Sequence, residues 1–114
     1  MYAVVKIGDK DVPMLAMASV DEYYKKIFNE DPLSAMTAKD SGIRTRMFYK
    51  MGFVMAKFAE LKDRKKMIRL TEDDYIDWLD LFDSGEYRDA ISKIGDVYIG
   101  NQKVTSREKK EAAR

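Results

Sequence analysis

The sequence predicts a mainly α domain: an N-terminal β-hairpin, a bundle of about four helices and a flexible C-terminal tail. Three observations predict it. Two short β-branched or apolar runs flank the turn cluster Gly8-Asp9-Lys10-Asp11, apolar residues then recur at helical spacing in segment after segment, and apolar anchors almost vanish after Asn101. At 114 residues the chain has room for one core. One helical domain with its hairpin is therefore assigned to residues 1–101 and a basic tail to 102–114.

The hairpin comes from Tyr2 to Ile7, the cluster Gly8-Asp9-Lys10-Asp11, and Val12 to Met17. Pro13 interrupts the second run, which predicts an edge strand, because proline cannot donate to a ladder. Ser19-Val20-Asp21-Glu22 has capping-box spacing, so a helix is expected from Val20 to about Asn29, with Val20, Tyr23, Tyr24, Ile27 and Phe28 on one side. Asp31-Pro32 stops it and can start a short helix through Ala38, and Asp40-Ser41-Gly42 is a break.

From Ile43 the spacing is strongly helical. Met47, Met51, Val54, Phe58 and Leu61 form a seam that Phe48, Gly52, Met55 and Ala59 widen to roughly half the circumference. Tyr49 and Phe53 fall on the opposite side among Arg46, Lys50, Lys57 and Glu60. Two arrangements fit: the first helix covers the two aromatics, or they form an exposed patch for self-association or a client. Methionine is flexible and polarizable, so Met47, Met51 and Met55 can fill a core or adapt to a client; core is the better reading. The candidate partner-binding set is Tyr49, Phe53, Lys50, Lys57, Met47, Met51 and Met55.

Lys62 to Lys66 reads as a charged loop or fraying helix end. Thr71-Glu72-Asp73-Asp74 caps a further helix, with acids where the helix dipole favours them. Tyr75, Ile76, Trp78, Leu79 and Phe82 are its expected buried stripe, with Asp73, Asp77 and Asp80 opposite. After Asp83-Ser84-Gly85 a last helix carries Tyr87, Ile91, Ile94 and Tyr98, with Gly100-Asn101 as its expected stop.

Composition excludes much chemistry. With no cysteine there is no disulfide, thiolate nucleophile or Cys-ligated zinc, and with no histidine the commonest general base and metal ligand are missing. Asp73, Asp77 and Asp80 could collect a hard cation, but a hydrated helix face is the better reading; no nucleophile or oxyanion site is evident beside them. No enzyme, cofactor or metal is expected. A signal peptide and a membrane span are not evident, which predicts a cytosolic protein. Net charge is only +1, yet Arg44–Arg69 carries nine basic and two acidic residues, net +7, while Thr71–Asp89 carries eight acidic and one basic, net −7. These segments are expected to lie against each other, within the domain or across an oligomer. The basic segment also supports an alternative, a small nucleic-acid-binding regulator.

The whole order resembles the tail assembly chaperones of long-tailed, siphovirus-type bacteriophages. The likeness covers about residues 2–110: a short hairpin; a Ser-started helix with Tyr23, Tyr24 and Phe28 leading into Asp31-Pro32-Leu33; Phe53-Val54-Met55-Ala56-Lys57; Asp77-Trp78-Leu79 with Phe82; and a lysine-rich end. The resemblance implies a non-enzymatic protein of the bacterial host cytoplasm that binds the tape measure protein and keeps it soluble while tail tube subunits assemble around it. It also implies homo-oligomers and, in many members, a longer frameshifted product that recruits tail tube protein. Clients would be taken by helix-in-groove recognition.

Overall fold

The structure is a computed structural model describing the backbone of residues 1–112 and the side chains of residues 1–100. Its elements are β1 (Tyr2–Ile7), β2 (Lys10–Leu15), α1 (Val20–Phe28), α2 (Pro32–Met36), α3 (Ser41–Leu61), α4 (Arg64–Met67), α5 (Glu72–Leu79) and α6 (Ser84–Ala112). The fold is mainly α with an N-terminal antiparallel hairpin, as the sequence predicts. The flexible tail expected over 102–114 lies outside the residues whose side chains are described. Gly100-Asn101 does not stop the helix, because α6 runs to Ala112. A glycine costs a helix only about 1 kcal/mol, too little to end one unaided.

β1 and β2 pair from Tyr2↔Leu15 to Ile7↔Lys10 across a two-residue turn. Gly8 has φ +63° and Asp9 does not have positive φ, the pattern of a type II′ turn, which matches strand twist. Pro13 stands opposite Val4. Reciprocal hydrogen bonds join Met1 and Ala16, so bonded pairs fall on every second position and Val4↔Pro13 is a non-bonded pair. The missing N–H of Pro13 therefore costs the ladder nothing. Val5, Ile7, Met14 and Ala16 are buried on one face, whereas Tyr2, Val4 and Pro13 are exposed on the other.

β2 packs on α3 and β1 on α6. Gly8 lies against the Glu86 carboxylate at the start of α6, while Met1 lies near Gly100, so α6 runs antiparallel to β1 along its whole length. Helices α1, α2, α4 and α5 also pack against α3.

Capping follows the sequence with one exception. Thr71 and Asp74 form a reciprocal capping box, and the Asp31, Asp40 and Asp63 side chains accept from the first backbone N–H groups of α2, α3 and α4. Ser19 does not cap α1 with its hydroxyl. It adopts αR geometry, and its carbonyl accepts from the N–H groups of Glu22 and Tyr23 instead. α1 buries the five expected residues and ends at Asn29 in the left-handed conformation.

Candidate functional site

Met51 to Ala56 are six consecutive buried residues. At 3.6 residues per turn, such a run faces every direction, so this stretch of α3 is covered on all sides. The methionine arc is core: Met47, Met51 and Met55 are fully buried. The opposite face is core as well. Phe53 is fully buried, with its ring centroid 6.3 Å from Phe28 of α1 and 5.6 and 5.7 Å from Tyr75 and Trp78 of α5. Such edge-to-face contacts are favourable aromatic geometry. Of the two arrangements open from the sequence, the covered one holds for Phe53, with α1 and α5 sharing the covering.

Tyr49 is half-buried, 4.8 Å from the ring of Tyr87 on α6. Lys50 pairs with Glu30 at 3.0 Å and lies 5.2 Å from the Phe28 ring, fastening α3 to the end of α1. Burial pushes the Glu30 carboxyl up, but hydrogen bonds from Tyr24 and Lys50 and the Lys50 charge outweigh it and hold the group below the usual range. Lys57 pairs with Glu60 on its own helix at 3.2 Å. An exposed Tyr49–Phe53 patch is therefore corrected: these seven residues are mostly architecture of α3, and Phe53 with the three methionines offers no surface in the folded monomer.

The feature that sequence reasoning missed is a groove of about 410 Å³ between the N-terminal half of α3 and α6. Ser41, Arg44, Thr45 and Phe48 line one side, and Ile91, Ser92, Gly95, Asp96 and Ile99 the other. Each set is one helix face, spaced i, i+3, i+4, i+7 on α3 and i, i+1, i+4, i+5, i+8 on α6. Phe48, Ile91 and Ile99 are half-buried and form an apolar floor; Ser41, Thr45, Ser92 and Asp96 are an exposed polar rim. Small residues on both walls leave the space, and a Cβ at Gly95 would stand 3.4 Å from the Phe48 ring. The guanidinium of Arg44 donates to the Ala38 carbonyl, which fixes the mouth of the groove to the segment before α3. The signal in the sequence was small residues at matching positions on two helix faces, invisible until the helices are known to be neighbours.

Of the two placements expected for the oppositely charged segments, contact within the domain is not made through their charges. α3 and α5 are neighbours, but they meet through apolar and aromatic side chains. Among the described residues no ion pair joins the basic and acidic segments; the ion pairs are Lys25–Glu22, Lys50–Glu30 and Lys57–Glu60. Asp73, Asp77 and Asp80 are exposed, and no group of three or more metal-ligating side chains comes together among the described residues. Ile76 is corrected too: it is 51 % exposed, outside the buried stripe of α5. Phe82 lies beyond the end of α5, in the turn before α6, where it packs on Trp78 and Tyr87.

No helix among the described residues is long and apolar enough to cross a membrane. No family model, curated protein or solved structure matches the chain.

Proposed function

We propose that this protein is a non-enzymatic binding module that takes an apolar face of a helical client into the groove between α3 and α6. The observation that carries the reading is that groove: an open slot with Phe48, Ile91 and Ile99 on its floor and a polar rim. An amphipathic helix has the shape and polarity to fill it, giving up apolar area to the floor and hydrogen-bonding groups to the rim. Taken with the resemblance in the sequence, the reading becomes a tail assembly chaperone of a long-tailed phage, holding apolar helical stretches of the tape measure protein in the bacterial host cytoplasm. Recruitment of tail tube protein would then belong to a longer frameshifted product.

The test is titration of a fluorescently labelled amphipathic helical segment from the tape measure protein of a long-tailed phage, using the wild type and Gly95→Leu. A leucine there grows into the groove past Phe48. Retention should fall by at least about tenfold, roughly 1.4 kcal/mol, in a variant that circular dichroism shows to be folded at the assay temperature. Equal binding by a folded Gly95→Leu variant would remove the groove from the mechanism.

A second reading, nucleic-acid binding, draws on Arg64, Lys65, Lys66 and Arg69, all exposed and outside the ion pairs among described residues. It has less support, because the equally acidic α5 follows at once and would repel phosphates. Phosphate binding weakens steeply with salt, whereas capture of an apolar client changes little.

A further inference from the structure

Two consecutive short elements present exposed faces of opposite sign, each built around an aliphatic side chain. Ile68, just after α4, is 45 % exposed, and Arg64, Lys65, Lys66 and Arg69 around it are exposed. On α5, Ile76 is flanked at i−4, i−3, i+1 and i+4 by Glu72, Asp73, Asp77 and Asp80, all exposed; Leu81 follows in the next turn at 58 % exposure. None of these charged groups takes part in the ion pairs among the described residues. Like charges four residues apart on a helix repel. An aliphatic residue ringed by unpaired charge has the anatomy of an interface core with its polar rim.

We propose that these faces dock on each other between two copies of this chain, the acidic α5 face with Ile76 and Leu81 of one copy meeting the basic Arg64–Arg69 face with Ile68 of the other. The occupant is a second copy because each face finds its complement on the same chain. The basic face carries four cations, Arg64, Lys65, Lys66 and Arg69, and the acidic face four carboxylates, Glu72, Asp73, Asp77 and Asp80. Opposite potentials steer the encounter and fix its register, and burial of the aliphatic residues supplies affinity. Since both faces belong to neighbouring elements, a two-fold arrangement lets each copy give its acidic face and receive the other's in the same contact. The inference does not depend on the α3–α6 groove, and a failed client titration leaves it intact.

The experiment is sedimentation velocity on the full chain at low and high salt, with Lys65→Glu/Lys66→Glu, Asp73→Lys/Asp77→Lys, and Ile76→Ser. The wild type should associate at low salt and weaken by at least about tenfold at high salt. Each charge-reversed variant should sediment as a monomer, and an equimolar mixture of the two should form the one-to-one complex. Ile76→Ser should weaken association with the thermal midpoint unchanged, which keeps the test valid if a charge-reversed variant folds poorly. A wild type that stays monomeric at low salt overturns the proposal, as does a mixture of folded reversed variants that fails to associate. So does a monomeric wild type that binds duplex DNA through Lys65 and Lys66, because those lysines would then serve phosphate.

Discussion

The hydroxyl of Tyr87 donates to the backbone carbonyl of Tyr49 at 2.7 Å, through the space that Gly52 leaves on the flank of α3. A Cβ at Gly52 would stand 2.7 Å from that hydroxyl and 3.1 Å from Ile94 Cδ1. Glycine is there because α6 comes too close for anything larger.

Gly52→Ala sets two effects against each other. Helix propensity favours alanine by about 1 kcal/mol; overpacking costs about 1–3 kcal/mol, and displacing the hydroxyl adds about 1 kcal/mol. Destabilisation should win by roughly 1–3 kcal/mol, read as a lower urea midpoint at unchanged slope. In a Tyr87→Phe background the penalty should shrink, since the clashing oxygen is gone. An alanine variant as stable as wild type would show that α6 moves aside freely.

Tyr75→Phe should stabilise the protein. The Tyr75 hydroxyl is buried without a hydrogen-bond partner, the one such side-chain atom among the described residues, while its ring packs 5.2 Å from Phe28 and 5.6 Å from Phe53. Removing the oxygen keeps the ring contacts and ends the desolvation penalty, about 1–3 kcal/mol for an unsatisfied group. A gain of about 1 kcal/mol in urea unfolding is expected. A loss of that size would mean that the hydroxyl has a partner in solution.

How much of this was legible in sequence depended on how local the cause was. The hairpin was readable because a turn cluster between two β-branched or apolar runs is a local signal, whereas the two-residue turn and the non-bonded site of Pro13 follow from the strand register, which the sequence left open. Thr71-Asp74 capping and the α1 stripe were readable for the same reason. The covering of Tyr49 and Phe53 was not, because periodicity places residues around one helix without saying which neighbour lies over each side. Ile76 was misplaced because α5 is short and only its Tyr75 and Trp78 side meets α3. The α3–α6 groove was out of reach, since Thr45 and Gly95 matter to each other only once two distant helices are packed.

Phe53→Ala should be among the most damaging single changes, costing about 3–5 kcal/mol, because its ring is fully buried and packs on three others. Met51→Ala on the other side of α3 should cost roughly 2–5 kcal/mol. Thermal melts followed by circular dichroism would measure both. If Phe53→Ala stays within about 0.5 kcal/mol of wild type, the level of ordinary surface substitutions, α3 is not buried on that side.

Stability should also fall in mild alkali. Burial raises the phenols of Tyr24, Tyr75 and Tyr87; Tyr24 is raised further by donating to the Glu30 carboxylate, and Tyr75 is pushed up to about 12. An unfolded tyrosine ionises near pH 10. These groups therefore leave stability untouched well below pH 10. Above it the unfolded chain loses protons that the folded chain keeps, so the unfolded state binds fewer protons and the unfolding free energy must decrease as pH rises. Each such phenol can contribute a slope of up to about 1.4 kcal/mol per pH unit, ending for Tyr75 near its raised value. The diagnostic is a comparison: urea midpoints between roughly pH 8 and 11 for wild type and Tyr75→Phe. The variant should lose stability less steeply above pH 10, widening its advantage over wild type as pH rises. Parallel profiles would show that the Tyr75 phenol ionises as readily in the folded protein as in the unfolded chain, and that its hydroxyl is reached by water.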